Sequence, residues 1–148
     1  MNKIIENACK YCVINKYRFT EPRRKVLETI LKQNKPIGAY DILKQLSYER
    51  KINPPTVYRA VEFWLKHGFI HRIESLNNYI ACNNNHDHKG IQILICNKCG
   101  VTKEICVDDK RISAEVSKKE LFLVHNWSME IHGLCSHCKL LDYNLSFI

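Results

Sequence analysis

Apolar residues recur at helical spacing through the first half of the chain. Ile4, Ile5, Ala8, Cys12 and Val13 form one stripe over residues 3–15, and Val26, Leu27, Ile30 and Leu31 form a second that opens at Thr20 and Pro22. A third, shorter helix is expected after Gly38, using Ala39, Ile42, Leu43 and Leu46. The segment from Asn53 to Gly68 carries the punctuation of a whole helix: a capping residue, prolines where the first turn tolerates them, and a glycine just past the end. At about 100° per residue, Val57, Ala60, Val61, Trp64 and Leu65 share one face, and Pro55, Arg59, Glu62 and Lys66 share the other. One side packs and the other is free to touch something. His67 falls in the last turn, where a partly charged imidazole suits the helix dipole.

The period then changes from 3.6 to two. Phe69 to Ile73 and Tyr79 to Cys82 alternate as strands, separated by residues 74–78, whose asparagines accept turn conformations. Three helices and then a β-hairpin is the order of a winged helix, in which the last helix enters the DNA major groove. Beyond residue 90 the pattern is mixed. Ile91 to Ile95 is a compact apolar strand, and Val101 to Val107 is a second, with Cys106 assigned to the core. A helix capped by Asp108 or Asp109 runs to about Lys119, and Leu121 to Val124 with Trp127 to Ile131 supply further strand material.

Charge separates these two halves. Residues 1–80 hold 15 Lys and Arg against 7 Asp and Glu, whereas residues 81–148 hold 8 of each, so the whole net charge of +8 belongs to the first half. Six of eight cysteines and five of seven histidines lie after residue 80. The expected organisation is a winged-helix unit over residues 1–82, a hinge over 83–90 around the polar Asn83-Asn84-Asn85 run, and a metal-rich unit over 91–148. A basic surface alone also suits membranes and acidic proteins; a basic face beside a recognition helix suits DNA. Arg59 is the side chain expected to reach a base edge, since a guanidinium pairs bidentately with guanine. Tyr40 and Tyr58 are placed to meet the DNA backbone or thymine methyls, and Thr56 joins them at the start of the same helix.

Two Cys-x-x-Cys pairs, Cys96/Cys99 and Cys135/Cys138, carry the most specific chemistry. A two-residue spacer lets both thiolates of a pair face one ion, and tetrahedral zinc takes four sulfurs at about 2.3 Å. Four sulfurs leave no open position, so the site is expected to be structural. Cys9 and Cys12 repeat the spacing within a helical stripe, where they read as packing residues. His132 and His137 adjoin the second pair as solvated groups or hydrogen-bond donors to sulfur.

Together, Pro55-Thr56-Val57-Tyr58-Arg59-Ala60, Gly68-Phe69-Ile70-His71, the His86-Asp87-His88 cluster, Cys96-Asn97-Lys98-Cys99-Gly100 and Gly133-Leu134-Cys135-Ser136-His137-Cys138 resemble the ferric uptake regulator family. Within it the chain is most similar to the zinc-uptake regulators, through Ala39-Tyr40-Asp41, Pro54-Pro55-Thr56, and Glu74-Ser75 before Asn78-Tyr79. The resemblance implies an α+β protein: an N-terminal winged-helix DNA-binding domain and a C-terminal α/β dimerisation domain with a four-cysteine zinc site. It also implies a homodimeric, metal-dependent repressor acting on a DNA operator. The regulatory ligands it implies are His71, Cys82, His88 and Glu104, giving two zinc ions per chain. His86 is the alternative to His88, and His86, Asp87, Asp109 and His125 are either the additional site some members carry or polar loop and surface groups. A thiolate at 82 beside imidazoles favours zinc over iron, manganese or peroxide sensing, the alternatives within the family.

Other classes fit single features. Cys-x-x-Cys also serves thiol-disulfide exchange, but a thioredoxin-like βαβ pattern is missing. A zinc-ribbon interaction module would not need the basic first half. No Ser/His/Asp order, glycine-rich phosphate loop or carboxylate pair stands out, so neither an enzyme nor a small-molecule substrate is expected. With no apolar run of membrane-spanning length, no secretory signal and reduced cysteines, the expected location is the cytoplasm, away from any membrane.

Overall fold

The computed structural model describes residues 3–49, 51–83, 90–106 and 110–145. The chain divides into two compact units, Met1–His86 and Asp87–Ile148. In the first, four helices, α1 (Lys3–Ile14), α2 (Glu21–Leu31), α3 (Ala39–Glu49) and α4 (Pro54–Lys66), precede an antiparallel hairpin of β1 (Ile70–Ile73) and β2 (Asn78–Ala81). The hairpin pairs Ile70 with Ala81 and Ile73 with Asn78, and Asn77 turns it in the left-handed region at φ 51°. Ile37 and Tyr79 exchange backbone hydrogen bonds of 3.0 and 2.8 Å, which lays the loop before α3 against β2 as a short extra rung. The winged helix is therefore α2, α3, α4 and the wing, with α1 added in front.

Chain punctuation explains the limits of α4. Asn53 is extended at the N-cap and Pro54 follows in the first turn, although the Asn53 side chain makes no capping hydrogen bond. At the other end Gly68 takes φ 73°. That lets the Phe69 N–H reach back to the Trp64 carbonyl at 3.0 Å, closing the orphan carbonyls as only a left-handed residue permits. The predicted packed face is the buried one: Val57, Ala60, Val61 and Trp64 meet Val26, Leu27 and Ile30 of α2 and Ile42 and Leu46 of α3. Trp64 is fully buried and its indole N–H donates to the Arg23 carbonyl at 2.8 Å, so the largest core side chain leaves no polar atom unpaired.

The second unit has a three-stranded sheet in the order β4-β3-β5, made of β3 (Gly90–Cys96), β4 (Thr102–Cys106) and β5 (Trp127–Gly133). β4 runs antiparallel to β3 and β5 parallel to it. Two helices accompany it, α5 (Lys110–Glu120) and α6 (Ser136–Leu145). Two expectations are corrected here and one helix is added. Leu121–Val124 is not strand: Leu121 stands at φ 50° and Leu121, Phe122 and Leu123 are exposed by 96%, 61% and 74%, so their apolar pattern marks a surface and not a buried rung. The last strand runs on to Gly133. Helix α6 had no forerunner in the hydrophobic pattern. The expected caps Asp108 and Asp109, and the side chain of Cys106, lie outside the described residues. Among those described, no helix is long and apolar enough to cross a membrane.

Candidate metal centres and nucleic-acid interface

Strand β3 delivers Cys96 to the end of the sheet, and the turn after it delivers Cys99. Gly100, at φ 74°, bends that turn so that its N–H donates to the Cys96 carbonyl at 2.9 Å. Cys135 precedes α6 and Cys138 lies in its first turn. The four sulfurs lie within 4.8 Å of one another, and Cys99 Sγ is 3.7 Å from Cys135 Sγ. A tetrahedron with metal–sulfur bonds of about 2.3 Å has its sulfurs roughly 3.8 Å apart, so the donor set fits zinc in both chemistry and size.

Backbone amides prepare this site. The Cys135 N–H points at Cys96 Sγ at 3.4 Å, and the Cys138 N–H at Cys135 Sγ at 3.5 Å. The backbone N–H groups of Cys99 and Cys135 pull the Cys96 thiol down to about 6, whereas burial, followed by hydrogen bonds shared with the other three thiols, pushes Cys138 up to about 12. Four clustered thiols cannot all ionise beside one another; a divalent cation supplies the charge that lets them.

Neighbouring residues hold the first pair in place. Lys98 pairs with Asp142 of α6, the Asn97 N–H donates to the Gly133 carbonyl at 2.8 Å, and His132 places Nδ1 3.3 Å from Asn97 Oδ1 and Nε2 3.6 Å from Glu130 Oε2. His132 thus serves the knuckle through Asn97, while His137 is exposed. The sequence reading missed Asn97, Lys98 and Asp142; the signal available was only their position within, or one helical turn beyond, the Cys-x-x-Cys pairs.

A second grouping lies in the winged unit. His71 is half-buried on β1 opposite Ile80. Cys82, fully buried, follows β2 and donates its backbone N–H to the Phe69 carbonyl at 2.9 Å. The ligand atoms of His71 and Cys82 lie within 4.8 Å of each other, because the hairpin lays the residue just past β2 beside the start of β1, where Ile70 pairs with Ala81. Glu104 lies on β4 of the other unit, half-buried and opposite Ile93. His86, Asp87, His88 and Asp109 lie outside the described residues, and His125 is exposed between α5 and β5.

The outward face of α4 presents Pro55, Tyr58, Arg59, Glu62 and Lys66 to solvent, with Thr56 half-buried. Tyr40 stands 71% exposed in the first turn of α3. Nothing in the core claims these side chains, and the unit that carries them holds the chain's entire positive excess.

Comparison with known proteins points the same way. The zinc uptake regulation protein of Escherichia coli (strain K12) is 36% identical over 140 residues, 92% of this chain and 81% of the relative. A zinc uptake regulator solved in complex with zinc and DNA superposes with a TM-score of 0.86 at 33% identity, covering 97% of this chain and 99% of that one. The holo form of XcZur superposes with a TM-score of 0.82 at 30% identity, over 95% and 99% of the two chains. The ferric uptake regulator family profile matches residues 15–132, and the chain belongs to that family.

Proposed function

We propose that this chain is a zinc-responsive transcriptional repressor that binds a palindromic DNA operator as a homodimer and turns off zinc-uptake genes in the cytoplasm. The observation that carries the reading is the pairing of a buried thiol, Cys82, with the His71 imidazole inside a winged-helix unit. A sulfur and nitrogen donor pair is a soft site, suited to zinc rather than to the hard cations that oxygen donors select. Similarity to a zinc uptake regulation protein and to a regulator solved with zinc and DNA supports it.

In this reading each chain binds about two zinc ions, since each tetrahedral site is satisfied by four donors. Cys96, Cys99, Cys135 and Cys138 hold the structural ion, and His71, Cys82, His88 and Glu104 hold the regulatory one. The regulatory donors come from both units, so their joint ligation restricts how the winged unit is presented to DNA. Population shift then sets the response: ligation favours the DNA-competent arrangement only by its own preference for that arrangement. Tyr40, Thr56, Tyr58 and Arg59 make the DNA contacts, with Arg59 reading a base and the basic surface engaging phosphates. Exposed Met129 and Ile131 on β5, the surface-facing Leu121–Leu123 segment, and a helix α5 with no buried residue among those described support pairing of two C-terminal units.

Zinc content and operator affinity over buffered free zinc test this in wild type and Cys82→Ser. The variant is expected to fall from about two ions to about one, with the fold kept and zinc-dependent DNA binding lost. An unchanged metal content and zinc response in Cys82→Ser overturns the regulatory assignment. Operator affinity is expected to fall steeply with salt, through counterion release from the basic unit.

A further inference from the structure

The end of α4 is tied to α1 by a group the metal and DNA chemistry leaves unused. The Tyr11 hydroxyl lies 2.8 Å from His67 Nδ1. Around that imidazole stand the rings of Tyr11, Tyr17 and Phe63, with centroids 5.4, 4.8 and 4.4 Å away. Phe69 packs edge-on against Tyr11 at 5.3 Å, and the Arg23 guanidinium lies 3.5 Å from the Phe63 ring centre. Helix α1 itself buries Ile5, Ala8 and Cys12 in the core, so Tyr11 reaches from the edge of that contact to the C-cap of α4.

The dipole expectation of a partly charged His67 is reversed by these surroundings. Burial, then the positive charges of Lys66 and Arg23, hold the imidazole below its ordinary value of 6.5. Burial, then Tyr17 and Cys12, hold the Tyr11 hydroxyl above its own, and in the Nε2–H tautomer of the neutral ring Nδ1 accepts a hydrogen bond from that hydroxyl. The charged and titratable groups facing His67 among the described residues are Tyr11 and Tyr17 from α1 and its following turn, Arg23 from α2, and Lys66 from α4. None of those named is a carboxylate, and the two cations disfavour a charged ring.

We propose that neutral His67 is a positioning residue, pinning α1 against the carboxyl end of α4, and that acidification unpins α1 and weakens the hold on DNA. Lys3, Lys10, Lys16 and Arg18 are exposed along α1 and the turn after it. Docking makes these cations part of the same rigid body as Arg59; releasing α1 sets them loose, and the electrostatic part of binding becomes entropically more costly. The proposal rests on the DNA-binding reading for its second half only. Protons bind better to the undocked imidazole than to the docked one. Docking is therefore at full strength above the ordinary histidine range, weakens as pH falls through it, and levels off once the docked ring also titrates.

Zinc-loaded wild-type protein, His67→Gln and Tyr11→Phe are compared from about pH 7.5 to 5.5, the span in which histidine titrates. Amide hydrogen exchange over α1, corrected for the intrinsic pH dependence of exchange, is read beside operator affinity. Glutamine still accepts from Tyr11 but cannot become charged. Expected results are α1 protection that drops with acid in wild type and stays level in His67→Gln, lower protection at neutral pH in Tyr11→Phe, and a wild-type to His67→Gln affinity ratio that falls along the same curve. Because both proteins share the same metal ligands, that ratio cancels loss of zinc at low pH. Identical pH courses of α1 protection overturn the clamp, and a flat affinity ratio overturns the positioning role. If wild type binds no DNA at any pH, the function reading fails instead, and the exchange curves still decide the clamp.

Discussion

Trp64, Phe69, Leu27 and Ile42 are fully enclosed in the amino-terminal unit, each touching side chains from other helices or the wing. In the carboxyl-terminal unit the buried hydrophobic side chains among the described residues are Ile91, Ile93, Ile95, Cys96 and Cys138, and two of those five belong to the four-cysteine cluster that could hold a metal. Helix α5 buries none of its described residues, and Leu121, Phe122, Leu123, Leu140 and Leu141 face outward. One unit is held by ordinary packing. The other encloses little apolar surface among its described residues, so the proposed structural ion and pairing of two such units are what would supply its missing stability. In the proposed reading this separates sensing from scaffolding: His71 and Cys82 sit in a unit whose packing keeps the wing folded without an ion.

The strongest way to break this comparison is to remove a structural ligand. Cys135→Ser leaves three thiols around a site whose folding contribution is on the order of 10 kcal/mol when intact. The expected outcome is loss of exchange protection over β3, β4 and β5, with α2 and α4 still protected. Equal loss in both units would show that packing in the first depends on the second.

Next in size is the reciprocal change. Trp64→Ala removes the largest buried side chain and leaves the Arg23 carbonyl without its indole donor, a cost of about 3–5 kcal/mol. Denaturant unfolding followed by exchange should show the winged unit opening early while zinc stays bound by the four cysteines. Zinc release in step with that opening would contradict the independence argued above.

These asymmetries also explain what could be seen in the chain beforehand. Helix α4 was legible because its signals are local: Pro54 at one end, Gly68 at the other and an apolar face between. The cysteine pairs were legible for the same reason, since a two-residue spacer constrains each pair by itself. Helix α6 was not, because Leu140 and Leu141 face outward at 65% and 43% exposure and leave no buried stripe to detect. Leu121–Leu123 misled in the opposite sense, an apolar run that stays exposed and joins no strand. The Tyr11–His67 contact spans 56 residues, and no periodicity encodes which two polar groups a fold will bring together.

The smallest of the three tests probes the sheet beside the metal knuckle. Gly90 is buried at the start of β3 and pairs with Trp127 on β5. A Cβ at position 90 would overlap the five- and six-membered rings of the Trp127 indole, so Gly90→Ala forces the ring out of its rotamer or the strands apart. Overpacking of this kind costs about 1–3 kcal/mol, less than losing the ion but applied to the unit with the thinner core. Because Trp127 is the only tryptophan after residue 64, a Trp64→Phe background lets its fluorescence report the displacement directly. The expected result is a shifted Trp127 emission and a lower unfolding midpoint for the carboxyl-terminal unit, with zinc stoichiometry unchanged, since Cys96 lies at the far end of the same strand. Loss of the structural ion in Gly90→Ala would mean that the sheet and the knuckle form one cooperative element, and that ligation cannot hold this unit without the strand pairing beneath it.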